Sequence, residues 1–233
     1  MHFAGIIILT RNMYLGERNS PGSAGGGSEV ERALTRHLKD NLGLYLLVGF
    51  FFLAGIITGT IAVNFLEPQQ VSQLGAYLDK VLSQFKGEGP GFNQAAYQAL
   101  LGALRETGLI WFLGLTVIGI PLIIGLIFLK GLILGFTVGF LVQQKALQGM
   151  AFSFLALLPP NIIQIPALFI AAILGISFSI GLMRGRGQAE AAILPRFLTY
   201  SFLMLLVTLV LVGGGLVEGY LSPFFARIVL AYF

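Results

Sequence analysis

Long uncharged apolar runs alternate along the chain with short polar breaks. No Asp, Glu, Lys or Arg occurs in 41–66, 109–129, 131–144, 146–183 or 197–217. A helix of about 18 or more apolar residues is long enough to cross the ~30 Å hydrocarbon core of a bilayer. The runs lack period-two alternation and are too long for tilted barrel strands, so the spans are helical. Cut at Glu67-Pro68, at Lys130-Gly131, at Pro159-Pro160 and across Arg184–Arg196, the pattern predicts five spans: about 41–66, 109–129, 131–148, 162–183 and 197–217. The expected fold is an all-α polytopic membrane bundle, with one integral domain over 41–233 behind a cytoplasmic tail, 1–40.

The segments between the runs carry their own patterns. In 69–86, Val71, Leu74, Leu78, Val81, Leu82 and Phe85 fall on one face of a helix, with Gln73, Asp79, Lys80 and Ser83 elsewhere. The stretch Gly87-Glu88-Gly89-Pro90-Gly91 breaks that helix, and a second apolar stripe follows (Tyr97, Leu100, Leu101, Leu104). An outside helical hairpin over 67–108 is predicted, lying on the membrane or on a partner. Its two stripes either pack on each other or leave a surface free to dock a partner, with Asp79, Lys80, Glu88 and Arg105 as candidate docking residues. Two adjacent prolines remove two backbone donors. Residues 150–158 are therefore expected to form a half-helix that re-enters or lies at the interface, broken at Pro159-Pro160-Asn161. There Asn161 and Gln164 would satisfy freed backbone groups. The end, 219–233, is aromatic and interrupted by Pro223, and fits an interfacial belt. At the start, 1–28 with SPGSAGGGS over 20–28 reads as a disordered tail, and 29–40 as a short polar helix. Gly55 and Gly59, and Gly131, Gly135 and Gly139, recur every four residues, a spacing that lets helix backbones approach closely.

Composition excludes a soluble domain. Charged residues make up 10% of the 233, against roughly 25% in an average soluble domain. The few charges orient the chain instead. Under the five-span reading, nine basic residues fall on the amino-terminal side (Arg11, Arg18, Arg32, Arg36, Lys39, Lys130, Arg184, Arg186, Arg196) and five on the other. The amino terminus is expected inside, and the hairpin and carboxyl terminus outside.

The residues required by intramembrane catalysis are missing from the spans. The chain has no Cys, its two histidines are His2 and His37, and no Asp lies in a predicted span. Neither HExxH nor a phosphate-binding glycine fingerprint occurs, so no catalytic, cofactor or metal site is expected, and no nucleic-acid partner. Intramembrane polar residues usually mark transport, and the candidates are Asn64, Lys130, Gln143, Gln144, Lys145, Asn161, Gln164 and Glu218. Lys130 is read as a snorkelling anchor at a hairpin turn rather than an intramembrane charge. Two function classes remain open: a scaffold, and a small transporter or channel subunit using the broken helix.

Four strings carry a resemblance: GLIWFLGLTVIGIPLI (108–123), LKGLILGFTVGFLV (129–142), LPPNIIQIPA (158–167) and ISFS (176–179). In this succession they closely resemble stage II sporulation protein M over roughly 30–233. The family tends to read Leu-Pro-Gln-Asn where this chain has Leu158-Pro159-Pro160-Asn161. The resemblance implies a non-catalytic component of the mother-cell membrane at the engulfing septum. It would recruit and localise two peptidoglycan hydrolases, the stage II sporulation proteins D and P, during endospore formation. Besides the lipid bilayer these are the partners implied, and homo-oligomerisation stays open.

Overall fold

A computed structural model describes residues 42–86, 92–152, 157–184 and 193–232. The expectations for 1–40 and for Glu88 lie outside the described residues. Six α-helices follow one another: α1 (Leu42–Ala62), extended by a 3-10 turn Val63–Phe65, α2 (Pro68–Lys86), α3 (Phe92–Gly114), α4 (Gly119–Phe152), α5 (Leu158–Arg184) and α6 (Ile193–Tyr232). The chain divides into two compact units at Leu47/Val48. Of the first, only the opening turns of α1 are described; the second, Val48–Phe233, contains everything below. Four stretches are long and apolar enough to cross a membrane: Leu42–Phe65, Gly119–Gln144, Pro159–Met183 and Leu194–Gly219. The chain is an all-α polytopic membrane bundle.

Apolar side chains point both ways, as they do where the solvent is lipid. Along α1, Val48, Phe52, Gly55 and Gly59 are buried, while Phe50, Leu53, Ile57 and Ile61 are exposed. Hydrophobicity alone cannot tell these two faces apart. What distinguishes them is side-chain size at the contact. A Cβ built on Gly55 would overlap the Phe128 carbonyl oxygen, and one on Gly59 that of Leu132. From the other side, a Cβ on Gly131 would overlap the Phe52 carbonyl and one on Gly135 the Ile56 carbonyl; at Gly139 it would lie 3.3 Å from Thr60 Cα. Backbone therefore touches backbone along three turns of each helix. The Thr60 hydroxyl sits between the Ile56 carbonyl of its own helix (2.9 Å) and the Gly135 carbonyl of α4 (3.2 Å).

The register of these contacts sets the topology. Phe52, Ile56 and Thr60 meet Gly131, Gly135 and Gly139 in the same order, so α1 and α4 run parallel. A parallel pair requires a return pass between them. That pass is α3. It lies antiparallel along α6, with Ala99 at Gly215, Thr107 at Thr208 and Trp111 at Ser201. Helix α5 runs antiparallel to both α4 (Ile123 at Gly175, and Phe52, which meets Gly131, against Phe169) and α6 (Gln164 at Glu218, Phe178 at Tyr200). Five helices thus pass through the bundle in alternating directions. Helix α2 joins α1 to α3 at the end where α4 reaches Gln144, 3.8 Å from the Cβ position of Gly75.

Several expected boundaries move. Residues 67–108 do not form a separate hairpin: α2 is a connecting helix, and α3 packs along α6 through Ala99, Ala103 and Thr107 while Tyr97, Leu100, Leu101 and Leu104 stay exposed. The break expected at Lys130-Gly131, between spans 109–129 and 131–148, is absent, because Gly131 belongs to the face that meets α1 and α4 continues from Gly119 to Phe152. The turn is at Leu115–Ile118, bracketed by Gly114 and Gly119. The amides of Leu115 and Thr116 donate to the Phe112 and Leu113 carbonyls, and that of Gly119 to the Thr116 carbonyl. Pro159 and Pro160 do not break a helix but begin one. In the first turn the amide hydrogens they lack would have no intrahelical acceptor anyway. Of the expected half-helix 150–158, residues 150–152 end α4 and 153–156 lie outside the described residues. Pro223 does not interrupt α6, which continues to Tyr232.

Two outcomes follow from this packing. Gly135→Leu drives a branched side chain into the Ile56 carbonyl, so the yield of folded protein and its thermal midpoint in detergent should fall sharply; a cost of about 3 kcal/mol or more is expected. The relocated turn is checked by labelling the naturally cysteine-free chain in permeabilised membranes. Ile118→Cys should react with a water-soluble maleimide, while Leu129→Cys, facing lipid near the middle of α4, should stay silent. A turn at Lys130 would reverse that pattern.

Candidate functional site

Charge inside the bundle is concentrated where α3 crosses α4. Lys130 lies near the middle of the apolar stretch Gly119–Gln144, and its Nζ pairs with Glu106 Oε1. Both side chains are about one-third exposed at the bundle surface. Thr107, next to Glu106, lies level with Thr208, which is itself close to the midpoint of Leu194–Gly219. The pair therefore sits at mid-depth. An isolated charge there is costly, by about 2.5–3.5 kcal/mol on insertion scales, and an opposite charge in contact offsets much of it. Lys130 is not the snorkelling anchor that the sequence suggested; it neutralises the carboxylate that α3 brings in.

Polar groups on the rest of α3 are satisfied by α5 and α6. Thr208 donates to Thr107 Oγ1 at 2.8 Å, and Thr107 donates to the Ala103 carbonyl at 2.6 Å. The Trp111 indole N–H donates to Ser201 Oγ at 3.0 Å. The Tyr200 hydroxyl is within reach of the Ile110 and Trp111 carbonyls (3.3 and 3.2 Å). Its ring stacks on Phe178 at a centroid separation of 4.4 Å. The Ser179 hydroxyl donates to the Thr116 carbonyl at 2.8 Å. Carbonyls in the last turn of a helix have no intrahelical donor, so Tyr200 and Ser179 together stabilise the end of α3 and the turn after it. Gly114 is required there, since a Cβ would overlap the Tyr200 hydroxyl. Among the described residues no buried side-chain nitrogen or oxygen is left without a partner.

The sequence-derived candidates scatter over this frame. The five glycines come together at the α1–α4 contact. Asn161 donates to the Leu157 carbonyl at 2.6 Å, at the start of α5, and Gln164 donates to Glu218 at 2.9 Å, where α5 begins and the apolar part of α6 ends. Both hydrogen bonds lie at helix ends. Lys80 is exposed on α2, and of Asp79 only its place on that helix is described. Arg105 is not in an outside loop; it lies on α3 beside Glu106. The Glu106–Lys130 pair is not legible in the sequence, because its residues are 24 apart and the stripe Tyr97, Leu100, Leu101, Leu104 gives the segment before Glu106 the pattern of a surface helix. Gly114, Thr116, Gly119 and Pro121 could have signalled the true turn.

A family model described as stage II sporulation protein M matches residues 48–223, which is most of the chain and nearly all of the second compact unit. The chain belongs to the stage II sporulation protein M family. No match was found among curated proteins or among solved structures. For this member of the stage II sporulation protein M family, membership implies a membrane protein with a role in sporulation. The matched range begins in α1, ahead of Gly55, and ends in α6 at Pro223, so it takes in both the glycine contact and the Glu106–Lys130 pair.

Removing one charge should cost more than removing both. Lys130→Met leaves Glu106 unpaired at mid-depth and should destabilise the purified protein by about 2 kcal/mol. Adding Glu106→Gln to it should recover most of that loss. Thermal unfolding of the two single variants and the double variant gives the coupling directly.

Proposed function

We propose that this chain is a non-catalytic scaffold that recruits and localises septal peptidoglycan hydrolases during engulfment. The partners are the stage II sporulation proteins D and P, and the site is the mother-cell membrane at the septum. Family membership supports the sporulation role. The observation that carries the scaffold reading is α2. This amphipathic helix lies outside the apolar stretches, at the end where α4 passes Gln144 and α6 passes Gly219, and it turns Tyr77 and Lys80 to solvent. Val71, Leu74 and Leu78 are half-buried along its inner side.

Orientation follows from the basic residues once Lys130 and Arg105 are set at mid-depth. Eight remain on the amino-terminal side (Arg11, Arg18, Arg32, Arg36, Lys39, Arg184, Arg186, Arg196) and four on the other (Lys80, Lys86, Lys145, Arg227). The amino terminus is then cytoplasmic, and α2 with the carboxyl terminus faces the wall. A helix on that side is placed to dock an enzyme that cuts peptidoglycan. The transporter reading used the broken-helix region around Pro159-Asn161; Pro159 and Pro160 lie in the first turn of α5, a place that supports the scaffold reading instead.

Charge reversal on the exposed helix tests the proposal. With Asp79→Lys and Lys80→Asp together, or with Tyr77→Ala alone, membrane insertion and abundance should be unchanged. Hydrolase co-purification should weaken by about 1–2 kcal/mol, roughly five- to thirtyfold in affinity. Undiminished co-purification with all of these changes would place the docking surface elsewhere.

A further inference from the structure

Helix α3 has a second side. Its inner face is Ala103, Thr107, Ile110 and Gly114, all buried against α5 and α6. The opposite face holds Leu101, Arg105, Gly108, Leu109 and Phe112, all exposed. Arg105 precedes Glu106 and lies two residues from the Thr107–Thr208 contact, so it shares the mid-depth level. Glu106 turns toward α4 and is engaged by Lys130. Arg105 faces outward and makes no hydrogen bond or ion pair among the described residues. Around it a helix has room to approach: nothing lies within 4 Å of the Cβ position at Gly102 or at Gly108.

The local charge does not balance. Arg105, Glu106 and Lys130 sum to one excess positive charge at a depth where an uncompensated charge is disfavoured. Among the described residues one carboxylate lies at this depth, Glu106, and Lys130 engages it; Glu218 sits at the end of the apolar part of α6 against Gln164. A second copy docked symmetrically through this face would set Arg105 against Arg105. A carboxylate from a different chain would supply the missing counter-charge.

We infer that the Arg105 face of α3 is a docking site for a transmembrane helix of another protein carrying one Asp or Glu near its midpoint. The carboxylate neutralises Arg105, and Gly102 and Gly108 let the partner backbone come close. This contact is separate from the surface on α2 and lies inside the bilayer.

The test uses the full chain reconstituted in phosphatidylcholine vesicles with a labelled single-span polyleucine helix. The helix carries Glu, Gln or Lys at its centre, and association is read by energy transfer. Wild-type protein should bind the Glu helix about tenfold more tightly than the Gln helix. Arg105→Leu should abolish that preference, Arg105→Lys should keep it, and Arg105→Glu should transfer it to the Lys helix. Each variant's thermal unfolding reports whether the bundle is intact, and Arg105→Lys serves where Arg105→Leu is not. Equal binding of the Glu and Gln helices by wild type would overturn the inference and leave Arg105 as a residue reaching for headgroups. Energy transfer between two labelled copies of this chain that depends on Arg105 would overturn it in favour of self-association. Because no hydrolase is present, these results stand apart from the outcome at α2.

Discussion

The bundle depends on the contact between α1 and α4, where two helix backbones touch through glycine. Lipid tails are as apolar as the side chains they would replace, so no hydrophobic term favours one apolar face over another. Close approach does. Gly55 and Gly59 on one helix and Gly131, Gly135 and Gly139 on the other present no Cβ where the backbones meet, and carbonyls of each helix lie against the glycines of the other. Weak Cα–H···O contacts and dispersion accumulate over three turns. This packing also has a direction. Because the two helices are parallel, the chain must cross back between them, and the segment available for that return is 66–118.

That segment is poorly suited to lipid, and its polarity accounts for much of the remaining design. Helix α3 carries Arg105, Glu106, Thr107 and Trp111 into the bundle. Thr208 and Ser201 of α6 accept or supply hydrogen bonds, Tyr200 and Ser179 cap its carbonyl end, and Lys130 of α4 neutralises Glu106. Lys130 stands next to Gly131, so the helix that closes on α1 through glycine also presents the compensating charge to α3. The two contacts are coupled through one turn of α4. Arg105 alone remains outside this compensation.

Helices α4 and α6 have 34 and 40 residues. At 1.5 Å per residue they are about 51 and 60 Å long, well beyond a ~30 Å hydrocarbon core. Their surplus lies at the carboxyl-terminal ends, the same end as α2. Among the described residues, α2 and the ends of α4 and α6 beyond their apolar stretches share one end of the bundle, and the turn at Leu115–Ile118 lies at the other. For a protein of sporulation, the end with α2 is the face proposed above for docking.

Much of this was legible in the residues themselves. Uncharged runs marked the apolar helices, four-residue glycine spacing marked the close-contact faces, the basic asymmetry survived the shift of boundaries, and ordered strings such as GLIWFLGLTVIGIPLI carried the family. These signals are local, and a chain in lipid must satisfy its backbone within each helix, so composition over twenty residues is enough to find a span. Only the tertiary structure decided that α3 enters the bundle, that Lys130 lies in mid-helix, and that Pro159-Pro160 starts a helix. For the first two the deciding partner is remote: Thr208 is 101 residues from Thr107, and Glu106 is 24 from Lys130. A charge or a polar threonine reads as a boundary when counted alone. It becomes compatible with the membrane interior when another helix supplies the matching group, and sequence windows do not contain that helix.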